Sequence, residues 1–418
     1  MFYTDVLPNG IRVITEEMPG VYSVTAGIWV GTGSAYETPE VAGVSHFLEH
    51  MLFKGTKKRT YTEIAEIMES VGGSMNAFTA KEYTCFYIKA LAENLDLGMD
   101  VLSDMYLNSV FAEAEYNREK SVVLEEINMY MDSPEDMVMD LFNSLIMPEH
   151  TYGKPIIGTV ESVSAMTRDD IAAYHRKAYV ADQTIVVVAG NVKHSSVVET
   201  VGKYLGGLGG SWQKPALDEP VFSAGQGFVK KDIEQVHLMM GMPGVSGLHP
   251  DSYKLSIMTY VLGGGMCSRL FQEVREKRGL TYNVYSYSSG SAQGGLLYSY
   301  GSTSPKNVEE LAKVIGAEIA KIIAYGITDD ELARAQAQMK CGLLMGLENT
   351  GNVMARLGRS QSTFGMVRDI ETIVQDIMSV TKEDVQRVAA EYLTADKMVL
   401  AQVGAEKTDI DLKSLLQC

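Results

Sequence analysis

The sequence predicts an α+β fold built twice: two homologous, duplicated domains, each a mainly antiparallel β-sheet packed with helices. Three observations carry this. Strand signals come in pairs and helical stretches in runs, rather than in strict alternation. A Gly- and Pro-rich stretch, GGLGGSWQKPALDEP at residues 206–220, breaks the pattern near the midpoint, and the same programme restarts after it. Finally, MTRDDIAAYHRKAYVADQTIVVVAG at 166–190 matches VTKEDVQRVAAEYLTADKMVLAQVG at 380–404. Thr167 aligns with Thr381, Asp170 with Asp384, Asp182 with Asp396 and Gly190 with Gly404, all at a shift of 214. One shift shared by a helix cap, a helix and a strand indicates a duplicated unit of about 210 residues, too long a period for a solenoid. The expected division is residues 1–208, a linker at 209–220, and residues 221–418.

Taken in order, MFYTDVLPNGIRVITEE reads as a strand, a Pro-Asn-Gly turn and a second strand at 11–15, followed by a strand at 22–30. GVSHFLEHMLFKGT, 43–56, reads as a helix opened after Pro39 and closed at Gly55. In TYTEIAEIMESVGG, Thr60 and Glu63 have capping-box spacing, and Gly72 with Gly73 stops the helix. Strands are expected at 74–79 and 83–90, then helices at 93–107, 113–130 and 134–145. A helix begins near Thr167, and a strand at 183–189 ends at Gly190. Beyond the linker the pattern gives strands at 227–231 and 236–242 and helices at 251–262 and 268–277. Paired strands at 281–288 and 295–301 and long helices at 306–325 and 329–347 complete it.

Composition narrows the function. A net charge of -17 argues against a nucleic-acid binder, which needs a basic face. The acidic field favours cationic partners such as Lys/Arg-rich peptides, although acidity that only maintains solubility is the commoner cause. The first residues lack a basic segment followed by an apolar core, and no run of about 18 apolar residues occurs. A cytoplasmic chain with no membrane association is expected. Cys85, Cys267, Cys341 and Cys418 are far apart and form no C-x-x-C, so they read as reduced and structural, with Cys418 a loose terminal thiol.

The chemistry concentrates in the helix at 43–56. His46, Glu49 and His50 form H-x-x-E-H, and positions i, i+3 and i+4 share one helical face. Two imidazoles and a carboxylate within one turn suit a tetrahedral zinc ion held by two histidines, with an acid beside its water. The order is that of the inverted zinc-peptidase signature. A buried amphipathic helix with incidental polar residues is the competing reading, but it would strand several polar groups without partners. A third ligand must come from elsewhere. In EAEYNREKSVVLEEINMY, 113–130, Glu119 and Glu126 lie two turns apart on one face, with Glu125 about 100° away. A solvated acidic helix explains the same residues.

HFLEH followed by E-x6-E, with Glu126 76 residues after His50, resembles the pitrilysin/insulinase family of inverted-motif zinc metallopeptidases. SVGGSMNAFTAKEYTCFY at 70–87 looks like that family's N-A-x-T-x-x-E-x-T segment, and LGGGMCSRLFQEVREKRGLTYNVYS at 262–286 is similar to its C-terminal half. The resemblance spans essentially the whole chain and is to the short-chain, processing-peptidase-like branch. It implies a clam-shell enclosing an acidic chamber, in which Zn2+ is held by His46, His50 and Glu126. It implies Glu49 as general base on the zinc-bound water, Glu119 as an acid orienting a ligand or tuning that water, and Arg275 with Tyr282 from the second domain as oxyanion stabilisers. Asn76, Ala77, Phe78 and Thr79 would be an edge strand that takes extended substrate by strand addition. The implied activity is a zinc metalloendopeptidase acting on unstructured peptides or presequence-like segments. A homodimer is the simplest assembly. The alternative is a non-catalytic peptide-binding or assembly subunit of the same family; such members lose ligands or the Glu, and here none is lost. The other histidines (His150, His175, His194, His237, His249) lack a partner at ligand spacing and read as structural or exposed.

Overall fold

The computed structural model describes residues 1–416; Cys418, expected as a loose thiol, lies outside them. The chain forms two compact units. The first comprises residues 1–128, 155–217 and 344–369, and the second residues 129–154, 218–343 and 370–418. The units are interleaved in sequence. A stretch from each half of the chain is counted with the other half's sheet, where a contiguous division on either side of the linker was expected.

The first unit holds a six-stranded sheet of β1 (Phe2–Val6), β2 (Arg12–Glu17), β3 (Ser23–Val30), β4 (Ser74–Thr79), β5 (Thr84–Leu91) and β6 (Thr184–Gly190). The spatial order is β1-β2-β6-β3-β5-β4, which leaves β4 at an edge. All pairs are antiparallel except β2 with β6. The sequence SVTAGIWV of β3 is buried on both faces. Successive strand residues point to opposite faces. Val24, Ala26, Ile28 and Val30 therefore join the main core with Val44, Phe47, Leu48 and Met51, while Trp29 enters a smaller one with Ile14, Cys85, Val187 and Leu357.

That second face is closed by helix Thr350–Phe364, from far down the chain. Gly358 permits the approach: a Cβ there would lie 2.0 Å from Cε2 of Trp29. No element is expected from the sequence over residues 350–364, so neither this helix nor the sheet it covers was anticipated.

The second unit holds β7 (Gly225–Lys230), β8 (Val236–Gly244), β9 (Val284–Gly290), β10 (Gly295–Thr303) and β11 (Val399–Gly404), in the order β7-β11-β8-β10-β9. Only β7 with β11 is parallel. Helix Pro134–Ile146 packs on β7, β8 and β11. The duplication is visible in the caps. Thr167 and Thr381 each accept from the N–H of the Asp three residues on, and each Asp bonds back to the cap nitrogen. The helices so opened, Arg168–Ala178 and Lys382–Tyr392, lead into β6 and β11, the parallel partners of β2 and β7. The stretch expected as a regular helix at 268–277 is a π-helical turn, Phe271–Glu276. Among the described residues no helix is long and apolar enough to cross a membrane.

Gly358→Ala should lower stability by about 1–3 kcal/mol, the usual cost of overpacking. A urea melt checks this; an unchanged midpoint would mean that Trp29 yields freely.

Candidate metal centre

The inverted motif lies on α1 (Val44–Leu52), which ends before Gly55 at φ 115°. Phe47, Leu48 and Met51 turn one face of α1 into the core, each at 1% exposure or less. Burying such a side chain stabilises the fold by about 1.5–3 kcal/mol. The face they fix leaves His46, Glu49 and His50 pointing the other way. After α2 (Tyr61–Ser70) and α3 (Leu95–Asn108) comes α4 (Glu113–Asp132), whose Tyr116, Val123 and Ile127 are buried. That packing sets Glu119 and Glu126 toward α1.

One oxygen of Glu126 lies 3.6 Å from His46 Nε2 and 3.3 Å from His50 Nε2. The three donor atoms of His46, His50 and Glu126 fall within 4.8 Å of one another. Zinc bonds of 2.0–2.2 Å in a tetrahedron put neighbouring donors about 3.4 Å apart, close to the separation of the Glu126 oxygen from each imidazole nitrogen. The donor set, two imidazoles and a carboxylate, is that of a catalytic site with a position left open.

Electrostatics fit the same purpose. Burial, aided by the neighbouring His50, lowers the His46 pKa to about 4, so its imidazole is neutral and able to ligate. Burial would also lower that of His50. The hydrogen bond to Glu119 and the charges of Glu126, Glu119 and Glu49 outweigh it and raise the net value. Glu119 is buried, yet hydrogen bonds from His50 and Lys54 overcome the burial and hold its carboxyl below the usual range. Its Oε2 is 3.2 Å from His50 Nδ1 and its Oε1 is 2.6 Å from Lys54 Nζ. A carboxylate on the far nitrogen of a histidine fixes ring orientation and tautomer. By contrast, His46 Nδ1 is buried with no hydrogen-bond partner, so no bond on the far nitrogen fixes that ring.

Glu49 sits beside this triad. Burial raises its pKa, and Thr79 Oγ1 donates to its Oε2 at 2.5 Å. Thr79 is the last residue of β4, whose outer edge has no strand partner among the described residues. Asn76 to Thr79 thus form an edge strand, and its final side chain holds the motif's carboxylate.

In the second unit, Arg275 and Tyr282 are brought together: the guanidinium stacks over the rings of Phe271 and Tyr282 at 4.7 and 4.6 Å. Tyr282 is 81% exposed. Sequence reasoning missed Lys54, Phe271 and the bond from Thr79 to Glu49. Lys54, one turn beyond His50, was the one signal at hand. All five remaining histidines have ordinary protein partners: His150 with the Asp218 carbonyl, His175 with the Tyr106 carbonyl, His194 with the Thr15 hydroxyl, His237 with the Tyr300 hydroxyl, and His249 with the Asp251 N–H.

A family model described as Insulinase (Peptidase family M16) matches residues 12–160, and one described as Peptidase M16 inactive domain matches residues 165–339. The chain belongs to the M16, or insulinase, family of peptidases. An uncharacterized zinc protease of Bacillus subtilis is 41% identical over 388 residues, covering 93% of this chain and 95% of the relative. One from Mycobacterium leprae is 41% identical over 411 residues, covering 96% of this chain and 92% of the relative. A protease from Helicobacter pylori superposes with TM-score 0.91 at 24% identity, over 97% of this chain and 99% of the other. A chain of complex III2 from Candida albicans superposes with TM-score 0.86 at 18% identity, over 99% and 98%. These two likenesses establish the two-sheet M16 fold. With relatives named zinc proteases and a His-His-Glu cluster of the right dimensions, zinc is the cofactor of this family member.

Glu119→Gln should weaken zinc binding about 10- to 100-fold, as losing such an orienting partner does. Competition against a chelating dye measures it; an unchanged affinity would leave Glu119 without a role in orienting His50.

Proposed function

We propose that this M16 peptidase is a zinc metalloendopeptidase that hydrolyses unstructured peptides or presequence-like segments. The observation that carries the reading is the complete set: His46, His50 and Glu126 clustered, with the Glu126 oxygen at zinc-polyhedron distances from both imidazoles and the Glu49 carboxylate on the same helical turn. Bound there, zinc supplies Lewis acidity that polarises a carbonyl and makes water a nucleophile at neutral pH.

The chain's own groups do the rest. Glu49 takes the proton of the attacking water and passes it to the leaving amine. A pKa raised by burial suits a group that must both accept and release a proton near neutrality. Glu119 keeps His50 aligned from behind. The free edge of β4 offers backbone N–H and C=O groups to an extended chain, which reads conformation more than side chains and so selects unfolded peptides. Arg275 and Tyr282 keep the role that the family resemblance gives them, stabilising the oxyanion. We further infer a homodimer and a cytoplasmic location.

Glu49→Gln should cut turnover by about 100- to 10,000-fold while zinc binding is retained. Single-turnover peptide cleavage with metal analysis checks this. Undiminished peptide binding by a wild-type protein that never cleaves would instead favour the non-catalytic subunit.

The net charge of -17 points to basic peptides as the preferred substrates. A basic peptide should be cleaved faster than a matched acidic one at low salt, with the gap closing as salt is added. Equal rates at low salt would remove charge from the account of specificity.

A further inference from the structure

The helix that carries the ligands has an unusual beginning. Its N-cap, Gly43, adopts φ 93°, a left-handed conformation. A Cβ there would also meet the Ile157 carbonyl at 2.6 Å and Gly158 Cα at 3.0 Å. The position is therefore confined to glycine and can bring no side chain of its own. Yet the first N–H groups of a helix need acceptors, and α1 begins buried, with Val44 and Ser45 at 0% exposure.

Those acceptors come from six residues upstream. Glu37 Oε2 accepts from Gly43 N at 2.6 Å, and Glu37 Oε1 accepts from Ser45 N at 2.7 Å. One carboxylate spans both donors, at the helix end where negative charge is favoured. The same end is gripped from the other side: Ser45 Oγ is 3.1 Å from Tyr174 Oη, which is 2.7 Å from Thr32 Oγ1 on the loop after β3. The first ligand, His46, follows Ser45 directly, and its Nδ1 has no hydrogen bond to steady it.

We propose that Glu37 is a positioning residue of the metal centre: its carboxylate caps α1 from outside the helix and fixes the rotation at which His46, Glu49 and His50 face Glu126. This rests on the zinc-site reading above. Because Glu37 clamps the backbone on which His46 is mounted, its loss is felt at the metal as well as in stability. Burial pushes the Glu37 pKa up to about 7 against the pull of the Ser45 and Gly43 N–H groups, and Lys81 favours the charged form. Tyr174 and Tyr36 also lie nearby, and burial lifts the pKa of each.

Glu37→Gln is the test, since it keeps the shape but presents an amide N–H to one of the two donors. Zinc ion is titrated in competition with a chelating dye, beside wild type and His46→Ala, and cobalt(II) is substituted to read the ligand geometry from its visible absorption. The expected result is zinc affinity about 10- to 100-fold weaker, the size of effect seen when groups supporting metal ligands are removed, with an altered cobalt spectrum. Glu37→Asp, which keeps the charge but retracts it, should fall between, and it carries the test alone if Glu37→Gln does not fold. If His46→Ala loses zinc while the Glu37 variant binds it as tightly as wild type with an unchanged cobalt spectrum, Glu37 is only a structural cap and the inference falls. If wild type and His46→Ala bind zinc alike, the zinc-site reading fails and takes the inference with it.

Discussion

The structure depends on a single mutual orientation: two imidazoles on α1 and one carboxylate on α4, held so that their donor atoms are 3.3 and 3.6 Å apart. Left without a cation, such a cluster is costly. It gathers acidic groups around rings that burial prefers neutral. The opposing pulls are plain in the pKa shifts, with His46 driven down by burial and His50 driven up by three carboxylates. A divalent ion resolves both, because it needs neutral imidazoles and charged carboxylates. The apolar faces of the two helices supply the rigidity: Phe47, Leu48 and Met51 on α1, and Tyr116, Val123 and Ile127 on α4, are all buried.

Around that core the supporting groups form a second layer. Lys54 holds Glu119, Glu119 holds His50, and Thr79 holds Glu49. The last of these joins the edge strand to the motif helix. On the proposed function, a peptide pairing with β4 would meet the strand whose final side chain holds the Glu49 carboxylate, so docking and orientation of the proposed base would share one element.

Much of this was legible in the sequence. H-x-x-E-H is a local pattern, and helical periodicity alone places its three side chains on one face. The duplication was legible because caps and strand-ending glycines repeat at one shift, and the two capping boxes form as read. Periodicity also set Glu119 and Glu126 on one face of α4, but whether that face meets α1 or water is decided by tertiary packing. What remained hidden is non-local in the same way. Gly358 carries no signal until Trp29 is placed against it. Helix Pro134–Ile146 announces an amphipathic face but not the sheet it covers, and no helix was expected at all over Thr350–Phe364. Glu37 lies in an irregular loop, and only the bare left-handed glycine at residue 43 makes its carboxylate necessary.

His46, His50 and Glu126 are expected to hold one zinc ion per chain. X-ray absorption at the zinc edge, on protein purified without added metal and then loaded with one equivalent, tests it most directly. The account predicts full occupancy and a first shell of two imidazole nitrogens plus oxygen at about 2.0–2.2 Å. Sulfur in that shell, or zinc that washes out of the wild-type protein as readily as from one lacking both histidines, would contradict it.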